Sequence, residues 1–399
     1  MKDVIIAAAT RTAVGSFGGS LAGTDAVQLG TTALTGALNA AGLNAEQLDE
    51  VIVGNILSTN LGQNLARQVA VNSGCPHRVP AYTVNKLCGS GLKSVVLGVQ
   101  AIQLGDARVI AAGGSENMTM TPYAMPKARY GAKLGNTELV DLIMRDALTD
   151  AFDGAPMGET AERLADRFGI SREEMDEFAA ASQNKACAAR AAGTFADEIV
   201  PVMIPQRKGD PIAFDTDEFP REGVTPEGLA GLKPAFRRDG GRVTAGNSSG
   251  INDGAAFVIL CDADFAVEHK LPVLARIRSY GTAGVDPAEM GYGPVPATAE
   301  ALRRAGMKLA DIQLAELNEA FAAQSLSVLK GFENELGGID PGIVNVNGGA
   351  IALGHPVGAS GTRILVTLLH EMKRRDVQTG LASLCIGGGQ GISMIVERS

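Results

Sequence analysis

Histidine is scarce. Only four occur in 399 residues, at 77, 269, 355 and 370, and they are scattered. There is no H-E-x-x-H and no C-x-x-C, so the ligand spacings of a metal site are missing and no metal is expected. The five cysteines, at 75, 88, 187, 261 and 385, are odd in number and far apart. That fits free thiols in a reducing compartment rather than a disulfide framework. The formal net charge is −9 with no long basic run, which argues against nucleic acid as the main partner. No G-x-x-x-x-G-K-[ST] occurs, which removes the P-loop. The run "VIIAAAT" ends at Thr10 and Arg11, too short for a membrane span and more like a first buried strand than a signal peptide. Nothing later approaches an uninterrupted span of membrane length. The expectation is a soluble protein of the cytoplasm or an equivalent matrix, with no membrane partner.

Hydrophobic residues make up 45% of the chain, enough for a large core and more than one domain. Short apolar runs such as "EVIVGNIL" and "ARVIAAGG", bounded by turn residues, predict strands covered on both faces. Between them lie helix-period segments. After Cys88, residues Leu92, Val95, Val96, Val99 and Ile102 fall on one helical face. The pattern predicts an α/β layered fold.

The chain also echoes itself. "ALNAAGLNAEQLDEVIVGN" (37–55) matches "ALRRAGMKLADIQLAELN" (301–318) with one gap, each reading as helix, turn, strand, then Asn. Each is followed by an Asn-rich strand and a glycine-rich turn, "TVNKLCGSG" and "NVNGGAIALGHPVGASG". Two copies packed about a pseudo-dyad would bring Cys88, Asn318 and His355 together. Residues 120–250 differ in character, proline-rich and charged, with a helix from the N-cap Ser171, a capping box with Glu174 and a stop at Gly193. An inserted lobe of this kind is where a bulky ligand would be gripped.

Cys88 stands before Gly89 and Gly91, at a helix N-terminus whose partial positive charge is expected to lower a thiol pKa. A small buried filler at a tight turn and a nucleophile toward acyl carbons are both compatible with that setting. "CGSGLKS" is a near miss for the dinucleotide fingerprint, with Ser94 where the third glycine belongs. His355, in "GGAIALGHPVGASG", sits on a loop of small residues, suited to a general base or a hydrogen-bond donor in a cleft. "LCIGGGQG" puts Cys385 in a second glycine turn, with the Gly387 amide available to an oxyanion. Two thiols imply two jobs, one attacking and one moving a proton. In "ELNEAFAAQ", Asn318 suits either a held water or oxyanion, or a helix N-cap.

Taken together, "NKLCGSGL", "NEAFA", "GHPVGASG", "CIGGGQG", "TAGNSSGINDGAA" and "MGETAE" resemble the thiolase family, in particular its acetyl-CoA acetyltransferase type, over essentially the whole chain. The resemblance implies a five-layered α-β-α-β-α fold of two similar halves with an inserted loop domain. The halves would be residues 1–119 plus 251–271, and 272–399, with a CoA-binding loop domain at 120–250. It implies a ping-pong Claisen condensation of two acetyl-CoA, and the reverse thiolysis, with CoA esters as substrates and no tightly bound cofactor.

Residue by residue, Cys88 resembles the acetylated nucleophile, His355 its activator and Cys385 the acid/base for the α-proton. His355 with a water on Asn318 resembles one oxyanion hole; the Cys88 and Gly387 N–H groups resemble the other. Ser249 resembles a pantetheine contact and Arg221 a contact at the nucleotide end, with Met157, Phe321 and Ala245 as further CoA contacts. The resemblance also implies a homodimer or homotetramer, with contacts near residues 120–145.

One departure is Pro156, where many biosynthetic members carry His before the Met. "GYGPVPAT" resembles degradative members and "LTDAFDGAPMG" biosynthetic ones. A degradative 3-ketoacyl-CoA thiolase is therefore a second reading. A ketoacyl synthase relative would need two catalytic histidines in the second half, and a non-catalytic acyl-CoA-binding relative would be expected to have lost Cys88 or His355.

Overall fold

A computed structural model describes residues 2–398. In chain order the elements that build the site begin with β1 (Val4–Arg11), α1 (Ala26–Ala41), β2 (Glu50–Gly54), α2 (Leu65–Asn72) and β3 (Ala81–Val84). Next come α3 (Ser90–Leu104), β4 (Val109–Asn117), α4 (Met157–Phe168), α5 (Arg172–Ala191) and β5 (Asn252–Asp262). The remainder supplies β6 (Ala275–Gly284), α6 (Pro294–Ala305), β7 (Leu314–Leu317), α7 (Ala322–Leu336), α8 (Ala350–Leu353), α9 (Ser360–Arg375), β8 (Thr379–Ile386) and β9 (Gln390–Glu397).

The strands hydrogen-bond in the order β7-β8-β9-β6-β1-β5-β4-β2-β3, as one ladder that is nearly cut in the middle. Only Ile5↔Arg276 and Ile6↔Ala275 join β1 to β6. On one side, β2 is parallel to β3 and β4, and β5 and β1 run antiparallel beyond. The other side repeats this, with β7 parallel to β8, then β9 and β6 antiparallel. The internal echo is therefore structural, since Gly54 pairs with Gly114 in the first half as Leu317 pairs with Ser383 in the second.

Both faces of each half-sheet are covered, which is why its strands read as unbroken apolar runs. Ala33, Leu34 and Val69 of α1 and α2 pack on Val51, Val53 and Ile259 on one outside. Leu302, Val328 and Phe332 of α6 and α7 cover Leu381 and Ile395 on the other. Between the half-sheets lie α3 and α9. Here Leu92, Val95, Val96, Val99 and Ile102, the predicted apolar face, are all buried with Ile364 and Leu368 against Ile110, Val258 and Met394. The result is five layers, α-β-α-β-α. Leu87–Leu104 is long and apolar enough by composition to span a bilayer, although Lys93 interrupts it. Its apolar residues are spent on this central packing.

One predicted strand did not form. Val344 makes only a single bridge to Ala315, and the chain turns at Asn345, where φ is 44°. The Asn345 amide takes the place of a strand by accepting from Leu317 N and donating to Leu317 O, both at 2.8 Å. The segment between the halves is tied to β1 by fully buried Arg11. Its guanidinium donates to Glu198 (2.6 Å) and to both oxygens of Asp217 (2.7 and 2.8 Å). In that segment Ser171 caps α5 with Glu174 in a capping box, as predicted.

Candidate active site

Cys88 follows β3 and precedes α3. Leu87, just before it, has φ 47°, the left-handed region that costs a branched side chain energy. Local hydrogen bonds hold it there. Asn85 Oδ1 accepts from Leu87 N (3.0 Å), and Ser90 Oγ accepts from Lys86 N (2.8 Å) while donating to Leu87 O (2.6 Å). Gly89 sits tight against Ile386, where a Cβ would stand 2.4 Å from Ile386 Cδ1 and 2.9 Å from its Cγ1. The expected lowering of the thiol pKa is overturned. Burial pushes the Cys88 thiol up to about 11, although the N–H groups of Gly387 and Cys88 itself oppose the rise. Desolvation outweighs the helix terminus, so the resting thiol is neutral.

His355 is buried on the loop between α8 and α9. Its N–H donates to Asn252 Oδ1 (3.0 Å), and Gly354, at φ 100°, lets the chain pass against Asn252. Its Nδ1 lies 2.6 Å from Ser360 Oγ, whose one proton goes to Pro356 O at 3.0 Å. With that proton on Pro356 O, Nδ1 is the donor, which leaves Nε2 with its lone pair and no partner among the described residues. Burial, and then the nearby Arg363 cation, hold the imidazole down at about 4. The ring is neutral near pH 7 and can accept a proton.

Cys385 is the penultimate residue of β8, and Gly387 begins the turn to β9, where Gly388 and Gly389 take φ of 74° and 81°. Burial and the neighbouring Cys88 both raise the Cys385 thiol. Asn318 follows β7 and is buried, and neither amide atom of its side chain has a partner among the described residues. An orphaned buried amide is costly, so Asn318 calls for a water or a ligand atom as partner. The alternative, an N-cap, is overturned, because α7 begins at Ala322 with Phe321 before it.

A cavity of about 330 Å³ brings together Cys88, His355, Cys385, Gly387, Met157, Ala245, Ser249 and Phe321. Asn318 is not on its surface, although Ala320 and Phe321 beside it are. Arg221 is also absent from the lining. It is exposed, with its guanidinium 5.9 Å from the Phe219 ring centre. The Thr244–Gly250 loop reaches the site because Ser249 N donates to Ala320 O (3.0 Å) and Ala322 N to Asn247 O (2.9 Å). Pro156 also lines the cavity, at the start of α4.

Sequence reasoning missed several apolar walls, among them Met144, Leu148, Phe236 and Met290. These come from segments with no periodic signal. Phe236 packs edge-on against Phe321 at 6.3 Å and over Gly158, where a Cβ would stand 2.0 Å from its ring. Ser360 and Asn252, which orient His355, were inside quoted motifs but had no assigned role.

Two family models together span nearly the whole chain, the thiolase N-terminal domain at residues 4–264 and the thiolase C-terminal domain at 271–398. The acetyl-CoA acetyltransferase of Pseudomonas aeruginosa is 60% identical over 398 residues, covering 100% of both chains. That of Cupriavidus necator is 56% identical over 398 residues, again 100% of both. Among solved structures, the Bacillus anthracis acetyl-CoA acetyltransferase matches with a TM-score of 0.96 at 44% identity, covering 100% of this chain and 99% of that one. Human mitochondrial 3-ketoacyl-CoA thiolase matches at 0.95, with the same identity and coverage. The chain therefore belongs to the thiolase family.

Proposed function

We propose that the protein is an acetyl-CoA C-acetyltransferase that joins two acetyl-CoA into acetoacetyl-CoA and CoA, and runs the reverse thiolysis. The observation that carries this reading is the meeting of two thiols, a neutral imidazole with a free Nε2 and the Gly387 turn on one apolar cavity. The full-length relatives named acetyl-CoA acetyltransferase support the acyl class.

In this reading His355 Nε2 takes the Cys88 thiol proton, and the sulfur attacks the thioester carbon. The CoA sulfur leaves with a proton from Cys385, giving acetyl-Cys88 and a Cys385 thiolate beside an imidazolium. That thiolate removes the α-proton of the second acetyl-CoA. The carbanion attacks the acetyl carbon, a C–C bond forms, the bond to Cys88 breaks, and His355 returns its proton to Cys88. The N–H groups of Cys88 and Gly387 serve the acyl oxygen in one half-reaction, His355 and a water on Asn318 the other; each such donor is worth about 100- to 1000-fold in rate. Ser249, Met157, Phe321 and Ala245 contact the pantetheine arm, and Arg221 the nucleotide end, with CoA esters as substrate and no resident cofactor. We place the enzyme in the cytoplasm as a homotetramer or homodimer.

Intact-mass measurement after brief exposure to acetyl-CoA tests the reading. An acetyl adduct mapped to Cys88 and absent from Cys88→Ala is expected. CoA binding without any adduct would overturn the mechanism.

A further inference from the structure

The pseudo-dyad that relates the two halves relates their loop contacts as well. Ser90-Gly91 open α3 and Ser360-Gly361 open α9, so Cys88 in one half corresponds to Gly358 in the other. Asn55 and Glu116 follow the paired Gly54 and Gly114 as Asn318 and Cys385 follow the paired Leu317 and Ser383. In the second half the strand ends, with Cys385 and Gly387, receive the Cys88 loop. In the first half the corresponding strand ends receive the Gly358 loop, and a carboxylate stands where the second thiol stands in the cavity.

That carboxylate, Glu116, is fully buried and has no cation among its hydrogen-bond partners. One oxygen accepts from Ile56 N (3.0 Å) and Gly358 N (2.9 Å). The other accepts from Leu57 N (3.1 Å) and Asn55 Nδ2 (2.7 Å). Donors thus come from both halves. Gly358 lies three residues beyond His355, and a Cβ on it would stand 2.4 Å from a Glu116 oxygen and 2.9 Å from Asn55 Cα. Burial raises the Glu116 carboxyl to about 7, with the Ile56, Leu57 and Gly358 amides holding it from rising further. Nothing in the proposed reaction consumes this group.

We propose that Glu116 is a positioning residue, the locked counterpart of the reactive corner: by gathering the Asn55–Leu57 and Gly358 backbones on one carboxylate, it fixes His355 relative to Cys88. The proposal rests on the thiolase reading above. It assigns the first half's copy of the site to holding the second half's base in place.

The test is Glu116→Gln, whose amide turns one donor-facing oxygen into a donor and so sets N–H against N–H. Thermal unfolding first establishes that the variant is folded. A drop in kcat of about 10- to 100-fold, with KM within about threefold, is expected for a displaced base. Alkylation of Cys88 by iodoacetamide, which needs no CoA ester, is a second readout: loss of the Glu116 charge lowers the Cys88 thiol and by itself speeds the reaction, so a slowed reaction reports a displaced His355. A folded Glu116→Gln enzyme with kcat within about twofold of wild type and alkylation no slower overturns the proposal, since a role in stability alone lowers neither. If that variant does not fold, Asn55→Ala removes one donor and should still lower kcat by a factor of about three or more; unchanged kcat there also overturns it. Wild-type protein with no thiolase activity would instead sink the reading on which the proposal rests.

Discussion

Gly91 of α3 and Thr362 of α9 are in backbone contact, so close that a Cβ on Gly91 would stand 2.9 Å from Thr362 N and 3.0 Å from Gly358 O. The contact is reciprocal, for a Cβ on Gly361 would stand 2.5 Å from Leu92 N. The two central helices therefore cross at bare backbone, and the catalytic loops on either side are brought together by that crossing. Gly91→Ala and Gly361→Ala should each lose on the order of 1–3 kcal/mol or more of stability, because Thr362 N, Gly358 O and Leu92 N are main-chain atoms that cannot swing aside. Gly23→Ala, with nothing within 4 Å, is the control that should unfold like wild type in a thermal scan.

Ser360→Ala leaves His355 Nδ1 without its 2.6 Å acceptor. The ring can then turn or change tautomer, and the lone pair no longer waits at Nε2. Steady-state kinetics should show kcat lower by roughly 10- to 100-fold with little change in KM, as for other residues that orient a base.

The raised Cys88 thiol gives a pH prediction. A group whose pKa is pushed up to about 11 stays protonated through neutrality, so its reactive thiolate fraction grows tenfold per pH unit below that value. Iodoacetamide alkylation of the free enzyme should keep rising beyond pH 9. A plateau near pH 7 would instead mean that a thiolate–imidazolium pair already exists at rest.

Arg363 and Glu316 form a buried pair at 3.6 Å, and the Arg363 nitrogens and Glu316 Oε2 have no hydrogen-bond partner among the described residues. Glu316→Leu alone strands a buried cation and should cost about 3–5 kcal/mol in denaturant unfolding. The double variant with Arg363→Met should recover much of that loss, and a purely additive result would contradict the pairing.

Phe236 walls the cavity beside Phe321, over Gly158. Phe236→Ala should raise the ratio of kcat/KM for longer over two-carbon acyl-CoA by about 10-fold, since each added methylene in an apolar pocket is worth that order of discrimination.

Between Tyr123 and Leu139 the chain exposes Tyr123, Tyr130, Leu134 and Leu139, and Leu134 is 99% exposed. Such a cluster fits the proposed subunit contact. Sedimentation equilibrium should find an oligomer that Leu134→Glu with Tyr130→Glu shifts toward smaller species.

Much of this was legible before any coordinates. Strands buried on both faces announce themselves as unbroken apolar runs, and the helix after Cys88 carried its five-residue face in plain sequence. Cys88, His355 and Cys385 could be singled out because each sits in a glycine-rich turn, and the structure places all three on one cavity. The walls of the cavity were not, since Met144, Phe236 and Met290 arrive on irregular segments whose placement depends on tertiary contacts. The thiol pKa was misjudged because a helix terminus is visible in sequence and burial is not. Asn345 was read as part of a strand, and the structure uses its side chain where a strand's backbone would serve.

The position of β1 has a bearing on how the chain is made. Its partners in the ladder are β5 and β6, so β1 waits for roughly 240 further residues before either neighbour exists, about 12–50 s at ordinary rates of synthesis. The helix that follows Cys88 waits longer still, until α9 emerges to cover it. A nascent chain therefore carries an exposed greasy helix and a bare sheet edge through most of translation. Slow elongation, or a shortage of chaperones that shield such surfaces, should lower the yield of this protein well before it affects the folded enzyme.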